Sequence, residues 1–331
     1  GYLMLLRSFR NISIITAASV GLMACGGSSG SSNGTGTLSV GITDAPVDNA
    51  EKVYVQFRGI SVKSKDGKAQ EFPLQGDSQT CLNLADGIDP SPTPEGQATV
   101  RCIELKELQG TKSSGLIDGI TLAAGEYNWI RLDVDAEEGA MDSIIALKDG
   151  GTESLYIPSG SNTGLKINSG FTILAGGSHD FVIDFDLRKS VNLPQSENHG
   201  YRLKPSLRLI DLAESGNIIG TVDQSLLTAS GCTGDVNSGD GFAVYVYQGA
   251  NATIGEEGSE NAPLTSASIA SNDQSQWEYT VGFVAPGEYT AAFTCQAGDD
   301  SAEQATDGIN FTASSENPVT VVADQDTTVN F

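Results

Sequence analysis

Hydrophobic and polar side chains alternate with a period of two along most of this chain. Leu38, Val40 and Ile42 fall on one side of a segment whose other side is small or polar. Val53, Val55 and Phe57 repeat the pattern after a break at Thr43-Asp44-Ala45-Pro46. Successive side chains of a strand point to opposite faces, so this spacing predicts half-buried strands. In residues 127–135, Asn128, Ile130, Leu132 and Val134 share one face, and Tyr127, Trp129, Arg131 and Asp133 share the other. Further on, His179, Phe181, Ile183, Phe185 and Leu187 oppose Asp180, Asp184 and Asp186. Short apolar runs over 144–147, 155–157, 165–167 and 171–174 lie between them, parted by glycine turns. Asp66-Gly67 is a hairpin signal. Alternate prolines from Asp89 to Pro94 forbid a central strand there, and residues 103–108 offer one weak, short helix.

A second set of strands follows Gly216, predicted over 218–222, 243–247, 265–270, 277–281, 289–295, 309–311, 319–322 and 327–331. Neither set carries a long helical period. The expected fold is therefore all-β, with two β-sandwich domains in tandem over residues 37–212 and 216–331. Ala123-Ala124-Gly125-Glu126-Tyr127 in the first set is echoed by Ala285-Pro286-Gly287-Glu288-Tyr289 in the second. In each, a glycine turns the chain into a strand led by a tyrosine.

Charge separates the two halves. Residues 26–212 hold 16 bases and 25 acids, whereas residues 213–331 hold 17 acids and no lysine or arginine. The second half cannot make the cationic phosphate contacts that dominate nucleic-acid affinity, so nucleic acid is excluded as its partner. Such a balance suits a solvated, exported protein or one that binds cations.

The N-terminal stretch has a different grammar. Arg7 and Arg10 precede an apolar run over residues 12–23, and no acid occurs in the first 25 residues. A basic start, a short apolar run and a small residue before a cut form a secretory signal, and the run is too short to span a bilayer as a helix. Leu22-Met23-Ala24-Cys25 resembles the lipobox of bacterial lipoproteins. The resemblance implies a signal peptide over residues 1–24, a lipidated Cys25, and a membrane as partner through that anchor. Gly26 after the cysteine is similar to outer-membrane sorting signals, which places the expected protein on the surface or periplasmic face of a Gram-negative outer membrane. Residues 25–36, rich in glycine and serine, read as a flexible tether. Gly26-Gly27-Ser28-Ser29-Gly30 matches G-x-S-x-G formally, but a tether supplies neither the strand nor the helix which that motif needs. With Cys25 assigned to lipid, Cys81, Cys102, Cys232 and Cys295 remain, and four cysteines allow three pairings. The domain division favours Cys81–Cys102 and Cys232–Cys295, each inside one domain.

Candidate chemistry is sparse. The two histidines are His179, on an apolar strand face, and His199, between Asn198 and Gly200 in a turn, so a hydrolase lacks an evident base and no enzyme is expected. No cofactor is certain; calcium is the candidate. Asp235, Asn237 and Asp240 place oxygen ligands in a glycine loop, and a Cys232–Cys295 bond would bring Asp299 and Asp300 beside them. The loop departs from an EF-hand at its fifth, sixth and twelfth positions. Tyr127, Trp129 and Arg131 form a second candidate, since flat aromatics beside arginine suit a sugar ring or a protein partner.

Leu38-Ser39-Val40-Gly41-Ile42-Thr43-Asp44-Ala45-Pro46 resembles the opening of a bacterial family, domain of unknown function 4382. The likeness continues through Gly125 to Leu132, Ile157-Pro158-Ser159-Gly160, Gly164 to Ile167, Asp184-Phe185-Asp186 and Leu203-Lys204-Pro205. It implies an exported β-rich domain without an assigned activity. Residues 216–331 are similar to the small sandwiches of the carboxypeptidase-regulatory-like and transthyretin-like group, which serve as stalks or accessory domains. The expectation is a non-enzymatic interaction module at the cell envelope, with a calcium- or carbohydrate-binding surface receptor or adhesin as the alternative.

Overall fold

The structure, a computed structural model, describes residues 34–45, 50–158, 164–192, 200–204, 206–272 and 274–331. The signal segment, Cys25 and most of the tether lie outside the described residues. The first strand, Thr35–Ala45, begins inside the stretch expected to be tether. Gly36 is buried there, and a Cβ on it would stand 2.5 Å from the carbonyl oxygen of Leu174, so the close approach of two chain segments requires glycine.

Thr35–Ala45 lies parallel to Ser178–Asp186 and antiparallel to Ser114–Ala123. With Leu207–Asp211 on the far side of Ser178–Asp186, these make a four-stranded sheet. The second sheet centres on the long strand Ala50–Ser64, flanked by Gly125–Asp135 and Ile144–Leu147. The hairpin expected at Asp66-Gly67 joins Ala50–Ser64 to Ala69–Pro73. Residues 103–108 split into the end of the strand Arg101–Glu104 and a 3-10 turn, Leu105–Leu108. The alternating apolar residues face each other across the two sheets. Leu38, Val40 and Ile42 meet Val55, Phe57, Ile60, Ile130 and Leu132 in one continuous buried core. Phe57 and Phe185 bridge the sheets edge to face, with ring centroids 6.2 Å apart.

The second half is an eight-stranded sheet folded over its own core. Ala243–Gln248 is central, paired with Thr265–Ser271 on one side and Gly287–Thr294 on the other. Thr265–Ser271, Trp277–Val284, Gly216–Val222 and Asp326–Thr328 continue the order. The strand Val319–Val321 pairs with Gly287–Thr294, and its Thr320 carbonyl accepts from the Thr327 hydroxyl at 2.8 Å. The two ends of the sheet thus meet around Phe242, Val244, Val246, Tyr289 and Phe293. The protein is all-β, built as two β bodies in tandem.

Both disulfides form within a half, Cys81–Cys102 and Cys232–Cys295. The first ties the proline-rich excursion back to the Ala50–Ser64 sheet, where Cys102 lies opposite Gln56. The sequence echo has a physical basis. The hydroxyl of Tyr127 donates to the Ala123 carbonyl at 2.9 Å, and that of Tyr289 donates to the Ala285 carbonyl at 2.7 Å. Each ring is buried and staples the turn four residues upstream, as a tyrosine corner does. Gly125 and Gly287 sit at φ values of 144° and 156°, which side chains beyond glycine rarely adopt. No helix among the described residues is long and apolar enough to cross a membrane.

Candidate functional site

The strand Gly125–Asp135 carries the first candidate. Ile130, Leu132 and Val134 enter the core, and Trp129 and Arg131 stand half-buried on the outer face. Tyr127 does not join them. Lys63 lies opposite Trp129 and Ser64 opposite Tyr127, so one step on the neighbouring strand spans two here. This bulge at Asn128 inverts the alternation. Asn128 is exposed, and Tyr127 turns into the core against Phe171, the rings stacked 5.1 Å apart. The expected trio is therefore a pair, and the pair gains other neighbours. Lys166, opposite Arg131 on the adjoining strand, holds its ammonium 5.0 Å from the Trp129 ring centre, and the Arg131 guanidinium lies 5.9 Å away. Arg131 is fixed by Asp133 at 3.0 Å and by the Ser61 hydroxyl at 3.0 Å. Lys166 and Lys63 escaped the reading of the sequence because their strands are distant in the chain; a cross-strand register is the signal that finds them.

The acidic loops give the second candidate. The disulfide does draw the loops at 233–241 and 296–300 together: the Ala297 amide donates to the Gly241 carbonyl at 2.9 Å, and the Thr233 hydroxyl to Asp299 at 2.6 Å. Their side chains turn to separate tasks. Asp235 accepts from the Asn237 amide at 2.8 Å, and this holds its carboxyl below the usual carboxylate range. Asp240 pairs with Lys148 of the first half at 2.6 Å. Asp300 points inward and is buried. Among the described residues, the carboxylates that converge are Glu256, Asp300 and Asp307. Backbone amides already occupy them. Glu256 receives the amides of Asp307, Gly308 and Ile309; Asp300 receives that of Glu257; Asp307 receives that of Ser301. The cluster reads as a brace across three loops.

Between the halves lies a buried charged clasp. Arg188 and Lys189 of the first half meet Tyr245, Glu257 and Asp300 of the second. Arg188 donates to the Tyr245 hydroxyl, which donates to Asp300 at 2.8 Å. Lys189 lies 3.2 Å from Asp186 and 3.5 Å from Glu257, and donates to the Pro263 carbonyl. Burial, then the nearby Asp186, push the Glu257 carboxyl up to about 8. Burial raises Asp300 as well, against the hydrogen bond from Tyr245. Asp184 and Asp186, which alternation alone would leave on a solvent face, are buried. Asp184 finds Arg208 across the strand pair at 2.6 Å.

His179 is a structural residue in this arrangement: its Nε2 accepts the Leu174 amide at 2.9 Å, and its ring lies parallel to that of Phe181. His199 lies outside the described residues.

Residues 35–205 match the family model of a domain of unknown function, DUF4382. The chain belongs to this family. The match takes in Trp129, Arg131, Lys166 and the cationic side of the clasp, while the acidic half follows the DUF4382 domain. No curated protein matches the chain. Among solved structures, a leucine-rich repeat protein from Bacteroides thetaiotaomicron is 12% identical with a TM-score of 0.20, covering 91% of this chain and 26% of its own. A candidate cell-adhesion protein from Parabacteroides distasonis is 13% identical with a TM-score of 0.18, covering 72% and 52%. Another from Bacteroides fragilis is 8% identical with a TM-score of 0.20, covering 90% and 92%. The chain thus spans about a quarter of the first neighbour and about half of the second. At such TM-scores these likenesses bear on neither the fold nor the role of the DUF4382 chain.

Proposed function

We propose that this DUF4382 protein is an exported, non-enzymatic binding module of the cell envelope, held to the outer membrane through lipid on Cys25, and that it engages a glycan through the sheet face around Trp129. The observation that carries the reading is the indole itself: a large ring on an outward strand face, with Lys166 and Arg131 within 5.0 and 5.9 Å of its centre. Flat aromatic faces take the apolar side of a sugar ring, and nearby cations fix its polar edge. The oriented Arg131, braced by Asp133 and Ser61, supports a face set before its ligand arrives. A glycan array probed with wild type and Trp129→Ala tests it. Binding by wild type that the variant loses supports the reading, and equal silence from both ends it. Labelling with radioactive palmitate tests the anchor: label on wild type and none on Cys25→Ala is the expected result, and an unlabelled wild type refutes it.

A further inference from the structure

We infer that the Trp129 face selects an acidic saccharide, one whose sugar rings carry carboxylates; this rests on the glycan reading above and narrows it to a charge class. The argument is one of charge placement. The chain is acidic as a whole, with a net charge of −24. Around Trp129 the balance tips the other way, with Lys63, Lys65, Lys68, Arg131 and Lys166 against Asp66, Glu71, Glu126 and Asp133. Lys63 faces it from one neighbouring strand and Lys166 leans over it from the other. Lys65 and Lys68 occupy the hairpin that begins just past Lys63, and both are exposed. Arg131 completes the group, its own charge shared with Asp133 and, at 3.9 Å, with Glu71. Lys65 is partly answered by Glu126 at 2.5 Å. Among the described residues, Lys63 and Lys166 have no carboxylate partner. Lys63 spends one hydrogen bond on the Gly67 carbonyl, and Lys166 rests on the indole. Both keep donors for an incoming anion.

Magnitude decides whether the acidic remainder of the chain would repel such a ligand. At physiological salt the Debye length is about 8 Å, so acids beyond that distance from the ring are largely screened, while Lys63 and Lys166 flank the ring directly. The local cations therefore dominate what a bound sugar feels. A neutral saccharide would use the indole and leave both ammonium groups unanswered; a uronate ring uses all three.

The test takes the full chain and two probes with the same sugar backbone, one charged and one neutral: a hexamer of galacturonic acid and its fully methyl-esterified form. Calorimetric titration at low and high salt is the readout. The acid form should bind about tenfold more tightly than the ester at low salt, a difference of about 1.4 kcal/mol that high salt removes. Lys63→Gln with Lys166→Gln should bring the acid down to the level of the ester with little change in melting temperature, since Lys166 is exposed and Lys63, half-buried, gives up only one exposed hydrogen bond to the Gly67 carbonyl. Trp129→Ala should lose both probes. Equal, salt-insensitive binding of the two forms would overturn the inference and leave the glycan reading standing. Binding of neither probe, alongside a silent glycan array, would remove both.

Discussion

The guanidinium of Arg188 reaches the hydroxyl of Tyr245 at 3.0 Å, joining the two halves of the chain inside a buried interface. The ring lies under the same guanidinium, 5.4 Å from its carbon, so one residue supplies a hydrogen bond and a cation–π contact together. The Tyr245 hydroxyl in turn donates a hydrogen bond to Asp300. The acidic half owns no base, and the positive charge opposite its buried carboxylates comes from the family domain. Lys148 with Asp240, Lys189 with Glu257 and Arg202 with Glu303 repeat the pattern. The missing lysines and arginines of residues 213–331 are thus supplied across the interface.

Breaking this chain of contacts from either end should cost stability unequally. Tyr245→Phe keeps the ring and removes the relay, leaving Asp300 short of a donor; a loss of about 1–3 kcal/mol follows from one unsatisfied buried group. Arg188→Ala removes the hydrogen bond to Tyr245 together with the positive charge that favours ionised Glu257 and Asp300, so it should cost more than Tyr245→Phe. Urea unfolding of both variants checks the order. A smaller loss for Arg188→Ala than for Tyr245→Phe would show that the guanidinium does not hold the clasp.

Three carboxylates, Asp186, Glu257 and Asp300, share the clasp with two cations, and Glu257 titrates near 8. A carboxyl whose folded value is raised binds its proton more tightly in the native state. Between its ordinary value of 4.5 and about 8 the folded chain holds a proton that the unfolded chain has lost. Stability from this group is full below 4.5 and declines as pH rises to 8, by up to about 1.4 kcal/mol per unit. Asp44 and Asp184 are raised too, by burial first, so their contributions run the same way. Urea midpoints measured from pH 5 to 9 should fall with pH in wild type, and more shallowly in Glu257→Gln, which should be the more stable of the two at pH 9. A wild-type midpoint that rises over this range would contradict the assignment.

Most of the strands and both disulfides are legible in the sequence, because alternation and the even count of cysteines within each half are local signals; the strand Ser114–Ala123, whose glycines and polar residues break the alternation, is not, and residues 309–311, expected as a strand, form none. The turns before Tyr127 and Tyr289 are legible as a five-residue echo, while the hydroxyl bonds that close them come only from the fold. Two further things are not. The bulge at Asn128 leaves no mark in composition, so Tyr127 was placed with Trp129 on the binding face when it belongs to the core. Alternation also sets Asp184 and Asp186 on a charged face that the basic face of the strand carrying Arg208 can answer, as Arg208 does for Asp184, but it does not say that the face is buried. Burial of that face comes from pairings between residues far apart in the chain, such as Lys189 with Glu257, and no spacing rule encodes them.

The calcium expectation can be judged by removal. Glu256 satisfies three amides of the 307–309 turn with its two oxygens, Asp300 is committed to Tyr245 and the Glu257 amide, and Asp240 to Lys148. Chelation with EDTA should therefore leave the melting temperature unchanged. Glu256→Ala, by contrast, removes the acceptor of three amides, two of them partly buried, and should cost about 1 kcal/mol. A fall in melting temperature on chelation, restored by calcium, would show that the carboxylates hold an ion after all.

The division of charge also predicts how salt acts on the separated second half. A fragment of residues 213–331 carries 17 acids and no lysine or arginine, and mutual repulsion works against its compact state. Raising the salt from 0.01 M to 1 M shortens the Debye length from about 30 Å to about 3 Å, which removes that repulsion. The melting temperature of the fragment should therefore climb with sodium chloride. In the intact chain the same salt also weakens Lys148–Asp240 and Arg202–Glu303, the more exposed pairs across the interface, so the two effects oppose each other and the rise should be smaller. Scanning calorimetry of fragment and full chain at the two salt concentrations decides between them. A fragment indifferent to salt, or an intact chain that gains as much, would mean that the bases of the first half do not serve as counter-charges for the second.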